Sequence, residues 1–85
     1  PKPAQSPTAA QIETAIYQQI NQVRQQDGLK TLKQNDRLAE VARRYSQKMA
    51  EHDFFSHTGA DGSNVAQRVE AEQITFQLVG ENLYT

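Results

Sequence analysis

Two polar residues of this chain could do chemistry together, His57 and Glu81, although they lie well apart in the sequence. A neutral imidazole and a carboxylate are both suitable ligands for zinc, and a carboxylate also suits harder cations. The same pair could act as base and acid on a substrate carbonyl. A metal site or an acid–base site normally needs three or more converging groups, so two residues alone establish neither use.

Each histidine and the glutamate also have a structural interpretation. A lone histidine such as His57, just after two phenylalanines and a serine, is more often a hydrogen-bonding group than a ligand. Glu81, beside Gly80, would ordinarily be a solvated glutamate in a turn. His52, near the end of a predicted helix, suits capping of the last carbonyls better than catalysis. The sequence contains no Gly-x-Ser-x-Gly, no His-Glu-x-x-His and no cysteine, so an enzyme would need unusual machinery.

The composition is that of a domain with an incomplete core. The 85-residue chain is 36% hydrophobic, whereas a typical globular domain is roughly 45–50% apolar. It has no cysteine that could form a disulfide or a structural zinc cluster. Because chains of this size are marginally stable without such support, we interpret this one as part of a domain.

The charge pattern argues against nucleic acid as a partner. Nine basic and ten acidic residues are mixed along the chain and give a net charge of −1, so no strong field attracts DNA, RNA or an anionic membrane. No apolar run approaches the ~18 residues of a membrane span, and no signal segment is recognisable. The sequence begins at Pro1 rather than Met, so any upstream leader or anchor is not part of it. Composition alone leaves the location open.

The N-terminal part predicts a linker followed by an amphipathic helix. Residues 1–8 contain three prolines and no apolar periodicity, which is typical of an extended, solvated segment. The helix is expected over about 9–26, with Thr8 as N-cap and Gly28 just past its end, where glycine takes the left-handed conformation. Its apolar stripe consists of Ile12, Ile16, Ile20 and Val23.

Two further helices are predicted. The second runs over about 36–52 and is capped by Asn35 or Asp36, whose side chains accept hydrogen bonds from the first free amides. Its expected buried stripe consists of Leu38, Val41, Ala42, Tyr45 and Met49. A loop of glycines and small polar residues at 58–63 precedes a short third helix that ends near residue 72. One side of this helix carries Val65, Arg68 and Val69.

The order of several short motifs resembles the CAP superfamily. These motifs are Ile20-Asn21-Gln22-Val23-Arg24, Gly28-Leu29 with Leu32, Asn35 through Leu38-Ala39 with Ala42, Met49-Ala50, Phe55-Ser56-His57, Asp61-Gly62, Arg68 and Gly80-Glu81-Asn82-Leu83. The superfamily includes cysteine-rich secretory proteins, venom allergens, plant pathogenesis-related proteins and bacterial SCP-like extracellular proteins. The bacterial branch is the most similar, and the resemblance covers about residues 12–85.

The resemblance implies an α+β fold, an α-β-α sandwich in which helices cover a small, mainly antiparallel sheet. This chain would be its N-terminal portion, residues 9–85, mostly helical and lacking most of the sheet, with the first strand near 83–85. The resemblance also implies a cleft of two histidines and two glutamates that holds a divalent cation such as zinc in some members. His57 matches the first histidine and Glu81 the first glutamate, and the other two have no counterpart here. Gln73 stands where many relatives have glycine.

These observations favour an exported binding or interaction module, secreted, extracellular or in the cell envelope, with a protein or small molecule as its unidentified partner. The apolar helix faces would be covered by the missing C-terminal half of the domain or by another chain. The alternative is a hydrolase, for example a protease, in which His57 and Glu81 are the candidate catalytic residues and act with residues beyond Thr85.

Overall fold

A computed structural model describes residues 6–85 of the chain. It contains three helices: α1 (Ala9–Gln26), α2 (Asp36–Glu51) and α3 (Val65–Ala71). The described residues divide into two compact units, the first ending at Gln34 and containing α1, the second running over Asn35–Thr85 and containing α2 and α3. The first five residues of the predicted proline-rich linker lie outside the described residues.

Local capping signals define α1 at both ends. The Thr8 hydroxyl accepts from the backbone N–H of Gln11 at 3.1 Å, and the Gln11 side chain accepts from the Thr8 N–H at 2.9 Å, which is a capping box. At the other end Gly28 has a φ of +73°, and the N–H of Leu29 donates to the carbonyl of Arg24 at 2.8 Å. The predicted helix over 9–26 is confirmed.

The segment that follows α1 is held to the polar side of this helix. The Tyr17 hydroxyl donates to the Leu32 carbonyl, and Asn21 exchanges two hydrogen bonds with the Leu32 backbone at 2.7 and 3.1 Å. Arg24 Nε donates to the carbonyl of Lys30 at 2.7 Å. The apolar stripe of α1 is left between 44% and 56% exposed, and it consists of Ile12, Ile16, Ile20 and Val23.

The second unit has a small core between α2 and α3. It consists of Val41, Tyr45 and Val69, which are 9%, 4% and 2% exposed. The expected buried stripe of α2 was too wide, because Leu38 is 40% exposed and Ala42 is also exposed. A partner helix of only seven residues covers a narrow strip of α2, which explains the difference.

Residues 6–85 contain no β-strand, so the strand expected near 83–85 is wrong for this structure. A strand needs a neighbouring strand to satisfy its backbone N–H and C=O groups, and none is present among these residues. All the regular structure described here is helical. The sheet of the α-β-α sandwich is therefore not part of it.

Two helices end on residues other than glycine in the left-handed conformation. Asp53 follows the C-cap of α2 with a φ of +53°, and Gln73 follows that of α3 with a φ of +60°. The N–H of Gln73 donates to the carbonyl of Glu70 at 2.8 Å, as in a glycine-terminated helix. Gln73 thus keeps the turn expected of glycine, in a conformation that disfavours a residue with a Cβ.

Candidate functional site

His57 and Glu81 are in direct contact. The imidazole Nδ1 lies 2.8 Å from Oε1 of the carboxylate, so the predicted proximity of the two side chains is confirmed. Their surroundings differ, because the His57 side chain is 63% exposed and that of Glu81 only 15%. The pair therefore presents an imidazole to solvent and keeps the carboxylate behind it.

The carboxylate of Glu81 is held on its other side by Arg68. Arg68 Nη2 lies 2.8 Å from Oε2 and 3.1 Å from Oε1 of Glu81. The Arg68 side chain is only 10% exposed, so this ion pair is largely shielded from water. Both carboxylate oxygens accept hydrogen bonds from a permanently charged donor, and hydrogen bonds between two charged groups are shorter and stronger than those between neutral ones.

Three contacts fix the guanidinium of Arg68 in place. Its Cζ lies 3.5 Å from the centre of the Tyr45 ring, a cation–π contact. Nη1 donates to the Ser63 carbonyl at 2.7 Å, and Nη2 donates to the His57 carbonyl at 3.1 Å. Its Nε is buried and has no hydrogen-bond partner among residues 6–85. Arg68 therefore joins α2, the loop before α3 and the segment that carries Glu81.

The backbone at His57 is held from two helices. The Tyr45 hydroxyl on α2 donates to the Ser56 carbonyl at 2.5 Å, and Arg68 on α3 donates to the next carbonyl, that of His57, at 3.1 Å. Tyr45 also packs edge-on against Phe54, with ring centres 6.1 Å apart. Tyr45 is buried, as the expected stripe of α2 predicted, and its hydrogen bond to Ser56 helps to fix the position of the His57 backbone.

The loop between α2 and α3 is internally bonded and presents the Ser63 carbonyl to Arg68. The N–H of Gly59 donates to that carbonyl at 2.8 Å, and the N–H of Gly62 donates to the Gly59 carbonyl at 2.9 Å. Asp61 Oδ1 accepts from the Ser63 N–H at 2.9 Å. Hydrogen bonds from the Ser63 side chain and backbone hold the pKa of Asp61 below its ordinary value of 3.8.

A cleft of about 360 Å³ lies beside this cluster, between α2, the same loop and α3. Tyr45 and Arg68 form part of its wall, whereas His57 and Glu81 do not line it. The exposed imidazole and the cleft are thus separate features that share Arg68.

The hydrogen bonds determine which nitrogen of His57 is available. An ionised carboxylate can only accept, so Nδ1 of His57 must donate its proton to Glu81. In the neutral imidazole Nε2 then carries the lone pair. No hydrogen bond to Nε2 is formed within the described part of the chain, so this atom can bind a cation or accept a proton.

The two-residue site is not extended by further ligands in the described part of the chain. Between residues 6 and 85 no group of three or more histidine, cysteine, aspartate or glutamate side chains could hold a metal ion. His52, the other histidine, is the C-cap residue of α2, in keeping with the position expected from the sequence.

Arg68 was not among the site residues predicted from the sequence. The helical pattern places Arg68 on the same side of α3 as Val65 and Val69, and Val69 is the most buried of the apolar core residues. A permanently charged side chain on a core-facing side needs a partner of opposite charge. An arginine on the core-facing side of α3 was therefore the sequence signal for a buried ion pair. Its partner in the structure is Glu81.

Comparison with known proteins agrees with the motif order. The family model described as "Cysteine-rich secretory protein family", CAP, matches residues 17–83. The chain belongs to this family. It is also 32% identical over 87 residues to "Uncharacterized membrane protein YlbC" of Bacillus subtilis (strain 168), an alignment that covers 98% of this chain and 25% of the relative. The chain thus spans about a quarter of the length of that curated relative. No solved structure matches this chain.

The location inferred from the family resemblance requires correction. The expectation of a secreted, extracellular or cell-envelope protein is wrong, because the curated relative is described as a membrane protein. That expectation rested on the location of other family members and on no residue of this chain. The absence of cysteine is compatible with several compartments. None of the helices in residues 6–85 has the length and apolarity that a membrane crossing requires.

Proposed function

We propose that this chain is part of a CAP-domain binding module in which His57 and Glu81 contribute to a site for a divalent cation of the zinc class. The observation that carries the proposal is the 2.8 Å contact between His57 Nδ1 and Glu81 Oε1. Histidines that bind metal through one ring nitrogen almost always donate the other ring N–H to a carboxylate, a carbonyl or water. His57 has this arrangement, with its side chain 63% exposed.

The donor set suits a borderline cation and predicts weak binding. Imidazole nitrogen is a good ligand for zinc, copper and nickel. A catalytic zinc ion usually has three protein ligands, and the described residues offer at most the pair His57 and Glu81. Residues 6–85 would therefore bind zinc weakly, and further ligands would have to come from elsewhere.

The proposal is tested by titrating zinc chloride into the chain and following the side-chain ¹⁵N signals of both histidines. We expect the Nε2 signal of His57 to shift and that of His52, the C-cap of α2, to change little. His57→Asn should abolish the saturable response, and His52→Asn should preserve it. Glu81→Gln should weaken binding by roughly tenfold, because it weakens the partner that orients the imidazole. Equal responses of the two histidines, or unchanged binding by His57→Asn, would contradict the proposal.

The hydrolase alternative rests on the same contact. An imidazole whose Nδ1–H is bound to a carboxylate is also oriented as a general base. No serine or cysteine side chain is hydrogen-bonded to His57 in the described residues, so a nucleophile would have to be water or come from outside them. The cation-binding module is the function we favour.

A further inference from the structure

We propose that Arg68 determines which cations the His57–Glu81 site accepts, by keeping the carboxylate of Glu81 out of the coordination shell. The inference rests on the proposed cation-binding function and specifies its selectivity. With Arg68 in place, a cation would reach the imidazole of His57 but not a free carboxylate.

The first argument is the occupancy of the carboxylate oxygens. Oε1 of Glu81 accepts from His57 Nδ1 at 2.8 Å and from Arg68 Nη2 at 3.1 Å, and Oε2 accepts from Arg68 Nη2 at 2.8 Å. A carboxylate offers about four lone-pair directions, and three are already used. A cation that coordinated both oxygens of Glu81 would have to displace either Arg68 or His57 from Oε1, and at Oε2 it would lie next to the guanidinium of Arg68.

Displacing Arg68 is unfavourable. Its side chain is 10% exposed, and it is held by the Tyr45 ring at 3.5 Å and the Ser63 carbonyl at 2.7 Å. Removing one partner of a shielded ion pair leaves the other charge without compensation. A metal ion placed on the same carboxylate would also lie next to the guanidinium, and the two positive charges would repel each other in poorly hydrated surroundings.

The consequence is selection by ligand type. Calcium takes six to eight oxygen ligands, and magnesium also prefers oxygen, often from carboxylates. Zinc, copper and nickel bind imidazole nitrogen well. If Arg68 withholds the carboxylate of Glu81, the site favours the second group. If Arg68 is replaced by an uncharged residue, Glu81 becomes available and the preference should weaken.

The test compares the full chain with Arg68→Met and Arg68→Lys, and titrates each protein separately with zinc and with calcium. Signals of the His57 imidazole and of the Glu81 carboxylate carbon report which side chain binds. In the unaltered chain we expect zinc to shift His57 and calcium to leave Glu81 unchanged. Arg68→Met should lower the ratio of zinc to calcium affinity by about tenfold, the lower end of the effect seen for partners of metal ligands.

Arg68→Lys keeps the positive charge but cannot hold two oxygens as a planar fork. We expect Arg68→Lys to lower the ratio of zinc to calcium affinity by less than Arg68→Met does. If Arg68→Met fails to fold, Arg68→Lys alone still tests the role of Arg68. Unchanged ratios in the folded variants would overturn the role of Arg68 while leaving the proposed function intact. Absence of any zinc response at His57 in the unaltered chain would overturn the proposed function itself, and with it this inference.

A measurement without metal isolates the positioning role of Arg68. The ¹⁵N shifts of an imidazole report the fraction that carries its proton on Nδ1 rather than Nε2. In the unaltered chain this fraction should be higher for His57 than for His52. In Arg68→Met it should fall toward the His52 value, because Glu81 loses its anchor, and Arg68→Lys should restore part of it. A fraction unaffected by either substitution would contradict the inference, whereas a merely structural role of Arg68 would not move it in this graded way.

Discussion

Arg68 and Glu81 form an ion pair whose side chains are only 10% and 15% exposed, with 2.8 Å between Nη2 and Oε2. The pair joins α3 to the segment 80–85, which contains no helix or strand. The same carboxylate holds His57 at 2.8 Å. One interaction therefore both stabilises the second unit and orients the candidate ligand.

Breaking this pair should be much more costly than breaking an exposed one. Removing one partner of a buried ion pair typically costs about 3–5 kcal/mol, so we expect Arg68→Met to lower the free energy of unfolding by roughly 3 kcal/mol or to leave the second unit unfolded. The matched control is Glu40→Gln, because Glu40 pairs with Arg44 while both side chains are about half exposed. Such pairs contribute about 0–1 kcal/mol.

Urea unfolding of the two variants beside the unaltered chain measures both effects. A change below about 1 kcal/mol for Arg68→Met would mean that the pair is solvated like a surface pair. The assignment of Glu81 as a shielded, fixed carboxylate would then be wrong.

The C-terminus of α3 should be stabilised by a glycine. Gln73 has a φ of +60°, where a side chain costs roughly 1–2 kcal/mol relative to glycine. We expect Gln73→Gly to raise the free energy of unfolding by about 1 kcal/mol after the greater freedom of glycine in the unfolded chain is included. Asp53→Gly, at a φ of +53°, should gain less because aspartate tolerates this conformation better. A loss of stability in Gln73→Gly would show that the strain is absent.

The parts of this structure that the sequence predicted are those defined locally. Thr8 with Gln11, and Gly28 one residue past the C-cap, define the ends of α1 within a few residues of chain, so capping rules found them. The ion pair of Arg68 and Glu81 depends on how α3 and a distant segment meet, and no local pattern specifies that meeting. The strand expected near 83–85 likewise depends on a neighbouring strand, which the described residues lack.

The loop that presents Ser63 to Arg68 should not tolerate a side chain at Gly59. A Cβ added at Gly59 would lie 2.9 Å from both Asp61 Oδ1 and Ser63 Oγ, which is closer than these atoms can pack. We expect Gly59→Ala to destabilise the chain by about 1–3 kcal/mol. Gly80→Ala is the control, because a Cβ added there would have nothing within 4 Å and the φ of Gly80 is not positive. Thermal unfolding of Gly59→Ala and Gly80→Ala compares their stabilities. Equal stabilities of the two variants would argue against a tightly folded loop.

The same loop should contribute to the acid sensitivity of the second unit. Hydrogen bonds from the Ser63 side chain and backbone lower the pKa of Asp61 below 3.8. A carboxyl group whose pKa is lower in the folded state stabilises the fold above the unfolded-state pKa, and this contribution is lost as the pH falls through the folded-state pKa. Asp61→Asn should therefore reduce the loss of stability between about pH 5 and pH 2. Thermal unfolding of the unaltered chain and of Asp61→Asn across this pH range measures the effect. If both proteins lose the same stability as the pH falls, the role of Asp61 is contradicted.

The exposed stripe of α1 should cause self-association of the chain. Ile16 and Val23 are 52% and 56% exposed, and contiguous apolar surface of this kind promotes association. We expect light scattering to give a mass that rises with concentration, and Ile16→Lys to reduce it without loss of helicity, because the side chain contributes little to a core. Gln18→Lys, which adds the same charge at another exposed position of α1, should leave the association largely unchanged. A monomer at all concentrations, with one sharp thermal transition, would show that the stripe does not drive association and that the described helices are stable without a further partner.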